Sequence, residues 1–204
     1  MSPTVGGCAF AHDPDLPAGE EPGIWLPEVS PGTLILEPAP SGFTTTADID
    51  LGVLGEIVDD RSDADGREVA INDGSGELHV RLPSDDATRR PAVLLPVDAV
   101  FDIRLDVASR FVRRLRGTPV KLLPTALRLT WLQRMRLIQL LHTFDVREAG
   151  GGPREVADLV LASKQAALPS VEWKDSAARR KAVRLIRDSV ALVERNYLKL
   201  LSGR

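Results

Sequence analysis

Six cations crowd one short stretch of this chain: Lys174, Arg179, Arg180, Lys181, Arg184 and Arg187, with the hydroxyl of Ser176 among them. Guanidinium and ammonium groups donate hydrogen bonds and accept none, so this is chemistry for holding an anion, not for breaking a bond. Ser176 is a favoured residue at a helix start. A helix running from about Ser176 to about Leu201 would place Lys174 to Lys181 around its first turns. Backbone N–H groups lack partners there and the helix dipole is positive. Added cations repel that dipole, a cost that a bound phosphate or the acceptor edge of a base would offset. Lys174, Ser176, Arg179, Arg180, Lys181, Arg184 and Arg187 are therefore the expected DNA-contacting set. A solvated charged face is the competing reading.

Other chemistries find less support. His12, His79 and His142 are far apart in sequence, and each lacks a neighbouring Cys or second His for a metal. Asp63, Asp65 and Gly66 resemble part of a calcium loop, but the register puts Arg61 at the first ligand position and Asn72 at the last. Gly150, Gly151 and Gly152 are not followed by the Lys-Ser/Thr of a phosphate-cradling loop. Asp59-Asp60 and Asp85-Asp86 lie in polar turns, and no nucleophile has an attendant His. No enzyme, metal or cofactor is expected. Cys8 stands alone, which excludes an internal disulfide and fits a reducing cytoplasm.

The elements that must position the cations are helical. In the last helix Ala182, Val183, Ile186, Val190, Val193, Tyr197 and Leu200 line one face and Arg180, Arg184, Arg187 and Arg195 another, so Val183, Ile186 and Val190 are expected to hold it to a core. Upstream, Pro153 opens a short helix over Arg154 to Leu161, followed by a loop carrying Pro169 and Trp173. A short helix, a connection and a basic helix are the order of a helix-turn-helix unit, in which the second helix enters the major groove. The connection from Ser163 to Lys174 is twelve residues, against about 3 to 4 in the usual motif, so the unit is divergent. Earlier, Val97, Val100, Phe101, Leu105, Ala108, Val112 and Leu115 form a helical stripe ended by Gly117 and Pro119. A further helix after Pro124 has Thr125 as its expected cap and Leu127, Trp131, Leu132, Met135, Leu137, Ile138 and Leu141 as apolar cover.

The first half reads differently. Residues 1–45 are rich in Pro and Gly and form an extended lead, with Trp25 as a packing anchor and Leu34 to Leu36 short enough for an edge strand or an anchor laid on the following module. Val53 to Val58 reads as a strand. Val69-Ala70-Ile71 and Leu78 to Leu82, joined by Asn72-Asp73-Gly74-Ser75-Gly76, read as a hairpin. The expected class is α+β: a small antiparallel β unit over 46–90, then a mainly helical DNA-binding domain over 91–204. Charge follows the same division. Residues 1–90 carry eighteen Asp/Glu and five Lys/Arg, and residues 91–204 eleven Asp/Glu and twenty-one Lys/Arg. An acidic front and a basic back point to a partner with phosphates, although arginine-rich composition alone would add to the basic part. No apolar run is long enough to cross a membrane, so a soluble, cytoplasmic protein is expected.

One resemblance covers nearly the whole chain. The run from Ala92-Val93-Leu94-Leu95-Pro96-Val97-Asp98 to Phe101-Asp102-Ile103-Arg104-Leu105, then Arg110-Phe111, Leu115-Arg116-Gly117, Arg154-Glu155-Val156-Ala157, Trp173-Lys174 and Ile186-Arg187-Asp188, resembles the proteobacterial domain-of-unknown-function family numbered 2285. Phe10 to Pro17 and Trp25 to Glu28 are similar to the sequence that commonly precedes it. The resemblance implies a divergent helix-turn-helix DNA-binding domain of transcriptional activators that control excision and transfer of integrative and conjugative elements, and so a part in horizontal gene transfer. It places the family's Trp-Lys and Ser/Thr helix start on Trp173, Lys174 and Ser176. Double-stranded DNA is the implied partner, with an upstream activator domain or fusion partner, an antiactivator protein and RNA polymerase as protein partners. The alternative is a protein–protein interaction module of a regulatory complex without DNA contact.

Overall fold

The computed structural model of the chain describes residues 23–72, 76–120 and 122–203. Cys8, His12, the 10–17 run and the turn residues 73–75 lie outside the described residues. In chain order the elements are β1 (Thr33–Pro38), β2 (Glu56–Asp63), β3 (Gly66–Asn72), β4 (Glu77–Leu82), β5 (Pro91–Leu94), α1 (Phe101–Leu115), α2 (Trp131–Glu148), α3 (Pro153–Leu159), α4 (Ser170–Asp175), α5 (Ala177–Ala191) and α6 (Tyr197–Leu201). A sheet followed by helices is the expected α+β class. Two compact units result, one drawn from the described residues of 1–128 and 200–204, the other Leu129–Lys199.

In the first unit the strand order is β2-β3-β4-β1-β5. The expected hairpin is present, with Ile71 opposite Leu78 and Ala70 opposite His79. Leu78, Val80 and Leu82 are all buried while His79 and Arg81 are not, as a period of two requires. Two expectations are corrected. The sheet is mixed, because β1 lies parallel to β4 and antiparallel to β5. It therefore reaches beyond 46–90 at both ends, and Leu34–Leu36 belong to an inner strand, not an edge or an extended lead. Burial of Leu34 and Leu36 explains why this strand is drawn inside. The strand expected over Val53–Val58 starts only at Glu56. Residues Leu51–Leu54 form a 3-10 turn, because the Asp50 carboxylate accepts the Gly52 N–H at 2.9 Å.

α1 packs its Val107, Ala108 and Phe111 into the sheet core with Leu36, Val69, Ile71 and Val80. The expected stripe holds only in part: Ala108 is buried and Val112 packs against the core, but Val97, Leu105 and Leu115 are exposed, while Arg104, Arg110 and Arg114 are buried. Arg104 shows how the cation is tolerated. Its Nε and Nη2 donate to Asp98 Oδ2 at 3.1 and 2.9 Å, and Nη2 also donates to the Pro27 carbonyl at 2.9 Å. The expected stop holds, with Gly117 at φ +62 and Thr118 N–H closing on the Arg113 carbonyl at 2.9 Å.

The second unit is helical. α2 begins later than expected. Residues Thr125–Leu127 make only a 3-10 turn, and the cap is Thr130, whose Oγ1 accepts the Gln133 N–H at 3.2 Å while Gln133 Oε1 accepts the Thr130 N–H at 2.8 Å. Gly150, at φ +86, then turns the chain. At Gly151 a Cβ would stand 2.6 Å from Val146 Cγ1 and 2.7 Å from its carbonyl oxygen, so the chain folds tightly back on α2. Pro153 takes the first position of α3, as expected, and Glu155 accepts the Gly152 N–H at 3.0 Å. The core joins Leu140 of α2, Val156 and Ala157 of α3, Trp173 of α4, and Ala178, Ala182 and Leu185 of α5. Among the described residues, no helix is long and apolar enough to cross a membrane.

Candidate nucleic-acid interface

The connection expected as a loop is built. A 3-10 turn (Lys164–Ala167) and α4 occupy it, and both exist to seat the start of α5. Gln165 Oε1 reaches thirteen residues on and accepts the Ala178 N–H at 3.0 Å. Ser176 Oγ accepts the Arg179 N–H at 3.1 Å and donates to the Trp173 carbonyl at 2.8 Å. Trp173 is buried, and the Arg154 guanidinium stands 5.2 Å from its ring centroid, a cation–π contact that ties the start of α3 to α4.

These bonds correct two expectations. The first-turn N–H groups of α5 are not all open to an anion, since Gln165 and Ser176 take two of them. Ser176 is itself buried with its hydroxyl committed on both sides, so it sets the helix start and does not face a ligand. A Ser cap of this kind contributes about 1 kcal/mol. Anion-holding chemistry at this site therefore rests on side chains.

Those side chains are brought together. Lys174, Arg179, Arg180, Lys181, Arg184 and Arg187 are all exposed. Arg179 Nη1 donates to the Lys174 carbonyl at 3.3 Å and Arg180 Nη1 to the Asp175 carbonyl at 2.8 Å. Each guanidinium thus leans on the last turn of α4, where carbonyl partial charges favour a cation, and keeps further donors to offer. Among the described residues no carboxylate pairs with Lys174, Arg179, Arg180, Lys181 or Arg184. Arg187 differs: its Nη2 donates to Asp188 Oδ1 at 3.0 Å, and Asp188 Oδ2 accepts Arg136 Nη2 at 2.9 Å. One carboxylate shared by two guanidiniums leaves a surplus of one positive charge.

The aliphatic seam behind them is also revised. Ala178, Ala182, Leu185 and Ser189 are the buried residues of α5, with Ile186 packed beside them. Val183, expected in the seam, is 45% exposed. Arg180, Arg184 and Arg187, four and three residues apart, lie above one another on the outer face, opposite the buried row. Sequence reasoning missed Arg154, Arg136 and Gln165. None carries a local signal, because each acts on a residue distant in the chain.

Two family models match, and their limits follow the elements. A domain of unknown function (DUF7012) matches residues 32–93, the span of β1 to β5. The model described as "T6SS, Transcription factor, DNA binding domain" matches residues 94–202, from the end of β5 through α6. No curated protein and no solved structure matches the chain. With more than half its length covered and the cationic helix face inside that match, the chain belongs to the family of T6SS transcription factor DNA-binding domains.

Proposed function

We propose that this protein is a cytoplasmic transcriptional activator that lays the outer face of α5 in the major groove of double-stranded DNA. α3 and α5 act as a divergent helix-turn-helix in this reading, with the 3-10 turn and α4 as the insertion between them. The observation that carries it is the set of exposed cations on the first turns of α5 that no described carboxylate neutralises. Lys174, Arg179 and Lys181 flank the groove and meet phosphates, while Arg180 and Arg184 point most directly at the DNA. No bond-making chemistry is part of this role. The resemblance of Trp173-Lys174 and Ile186-Arg187-Asp188 to the conjugative-element activators supports promoters governing excision and transfer of such an element as targets. The match to T6SS transcription factor DNA-binding domains supports T6SS genes as a second group.

Fluorescence anisotropy on promoter duplexes of both groups tests this. Affinity should fall steeply with salt, Arg179→Ala with Lys181→Ala should flatten the slope of log K against log salt by about 2, and Arg180→Ala with Arg184→Ala should weaken binding and relax discrimination between duplexes. Unchanged affinity in a folded double variant removes α5 from the interface. No binding to any duplex at low salt favours the protein-interaction module, in which an antiactivator, an upstream domain or RNA polymerase is the direct partner.

A further inference from the structure

Val183 is out of place by the rules of its own helix. A β-branched side chain loses rotamer freedom in a helix and lowers its propensity, a cost that core positions recover by burial. Val183 recovers little of it, since it stays 45% exposed. At about 100° per residue it stands about 100° or more around α5 from each of the buried residues Ala178, Ala182, Leu185 and Ser189. Neither the helix nor the core accounts for it.

The outer face of α5 supplies the context. Arg180, Arg184 and Arg187 fall within about 60° of one another, Val183 borders this row on one side, and Lys181 and Asp188 border it on the other. Asp188 is drawn toward α2, because its Oδ2 accepts Arg136 Nη2 at 2.9 Å. The two flanks of the row thus differ in chemistry. One carries a cation suited to phosphate and a carboxylate held by a neighbouring helix, the other a short aliphatic group beside exposed guanidiniums.

Base edges in the major groove offer that aliphatic group one complementary partner. Guanine, adenine and cytosine present hydrogen-bonding atoms there, which an isopropyl group cannot satisfy, whereas thymine adds a C5-methyl. Packing the valine on this methyl takes both from water, while setting it against a ring nitrogen or an exocyclic amine leaves a polar atom unpaired. Phosphate offers it nothing.

Resting on the reading of α5 as the groove-facing helix, we infer that Val183 is a specificity-determining residue that packs on the C5-methyl group of a thymine. The cations hold the helix on any duplex, and Val183 favours sites with thymine at its level in the groove.

Fluorescence anisotropy of the full chain tests this with promoter duplexes made in two forms, one with thymidine and one with deoxyuridine, which lacks only that methyl. The wild-type protein should bind the deoxyuridine form about fourfold more weakly, the weight of one methyl-sized apolar contact. Val183→Ser should lose about the same factor on the thymidine form and no longer distinguish the two, with an unchanged circular dichroism spectrum. Val183→Ile, which keeps the aliphatic branch, should distinguish them as the wild type does. A methyl effect exerted through DNA shape would persist in Val183→Ser, and that result overturns the assignment, as does a wild-type protein indifferent to deoxyuridine. Both results leave the DNA-binding reading standing. Failure of the wild-type chain to bind any duplex at low salt removes that reading, and this assignment with it.

Discussion

A carboxylate inside a sheet needs a partner, and Glu68 takes its own from across the strands. It is 1% exposed in β3 and sits opposite Arg81 of β4, whose Nη1 donates to its Oε1 at 2.6 Å. Burial still pushes the Glu68 carboxyl above its ordinary value, with Arg81 pulling the other way. A raised folded pKa means that the native state keeps a proton the unfolded chain has released. Stability from this group is therefore full below the ordinary carboxylate range and is lost as pH rises through the folded value. Asp60 has the opposite sign. Hydrogen bonds from Arg67 hold its carboxyl down, so its contribution is present above the ordinary range and lost as pH falls. Its exposure to solvent makes that contribution small. Glu68→Gln keeps an acceptor for Arg81 and removes the ionisation. Thermal unfolding should show a variant close to wild type near about pH 4 and more stable than wild type near about pH 7. An equal difference at both pH values would show that ionisation of Glu68 carries no cost.

At the scale of the element, α5 shows what periodicity gives and what it withholds. Val183 and Leu185 are both aliphatic and two residues apart, and a helical period accommodates either in the seam. Only Leu185 is buried, at 1% exposure. Leu185→Ala should cost about 2 to 5 kcal/mol in chemical denaturation, the range for emptying a packed core position. Val183→Ala should stay within about 0.5 kcal/mol. Equal losses would return the seam to its expected phase. The same limit explains α1, where hydrophobic spacing predicts a helix but buried arginines take places that hydropathy assigns to solvent. Boundaries failed where two residues of one type competed: Thr125 and Thr130 are both plausible caps, and Gln133, three residues after Thr130, decides between them. Tight local chemistry was legible, as in the β3–β4 hairpin, the Gly117 stop and Pro153 at the start of α3. Long-range pairing was not. The parallel contact of β1 with β4 and the reach of Gln165 to Ala178 join segments whose sequences carry no mark of each other.

The whole molecule carries two cores and two charge signs. Leu36, Val80 and Phe111 belong to one core, Val156, Trp173 and Leu185 to the other, and among the described residues no buried residue is common to both. Residues 1–128 hold twenty-one Asp/Glu and twelve Lys/Arg, while 129–199 hold eight and thirteen. The basic surplus read from sequence over 91–204 is thus smaller at the surface, since Arg104, Arg110 and Arg114 are buried in α1. Separate cores predict separate unfolding. Differential scanning calorimetry should resolve two transitions, one lowered by Leu36→Ala and the other by Leu185→Ala. A ligand stabilises only the unit that binds it, and duplex DNA at about one hundred times its dissociation constant adds roughly 2.7 kcal/mol. Cognate duplex should therefore raise the transition that Leu185→Ala lowers and leave the other in place. If duplex instead moved the transition sensitive to Leu36→Ala, DNA would be binding the acidic sheet unit, and the cationic face of α5 would not be its site.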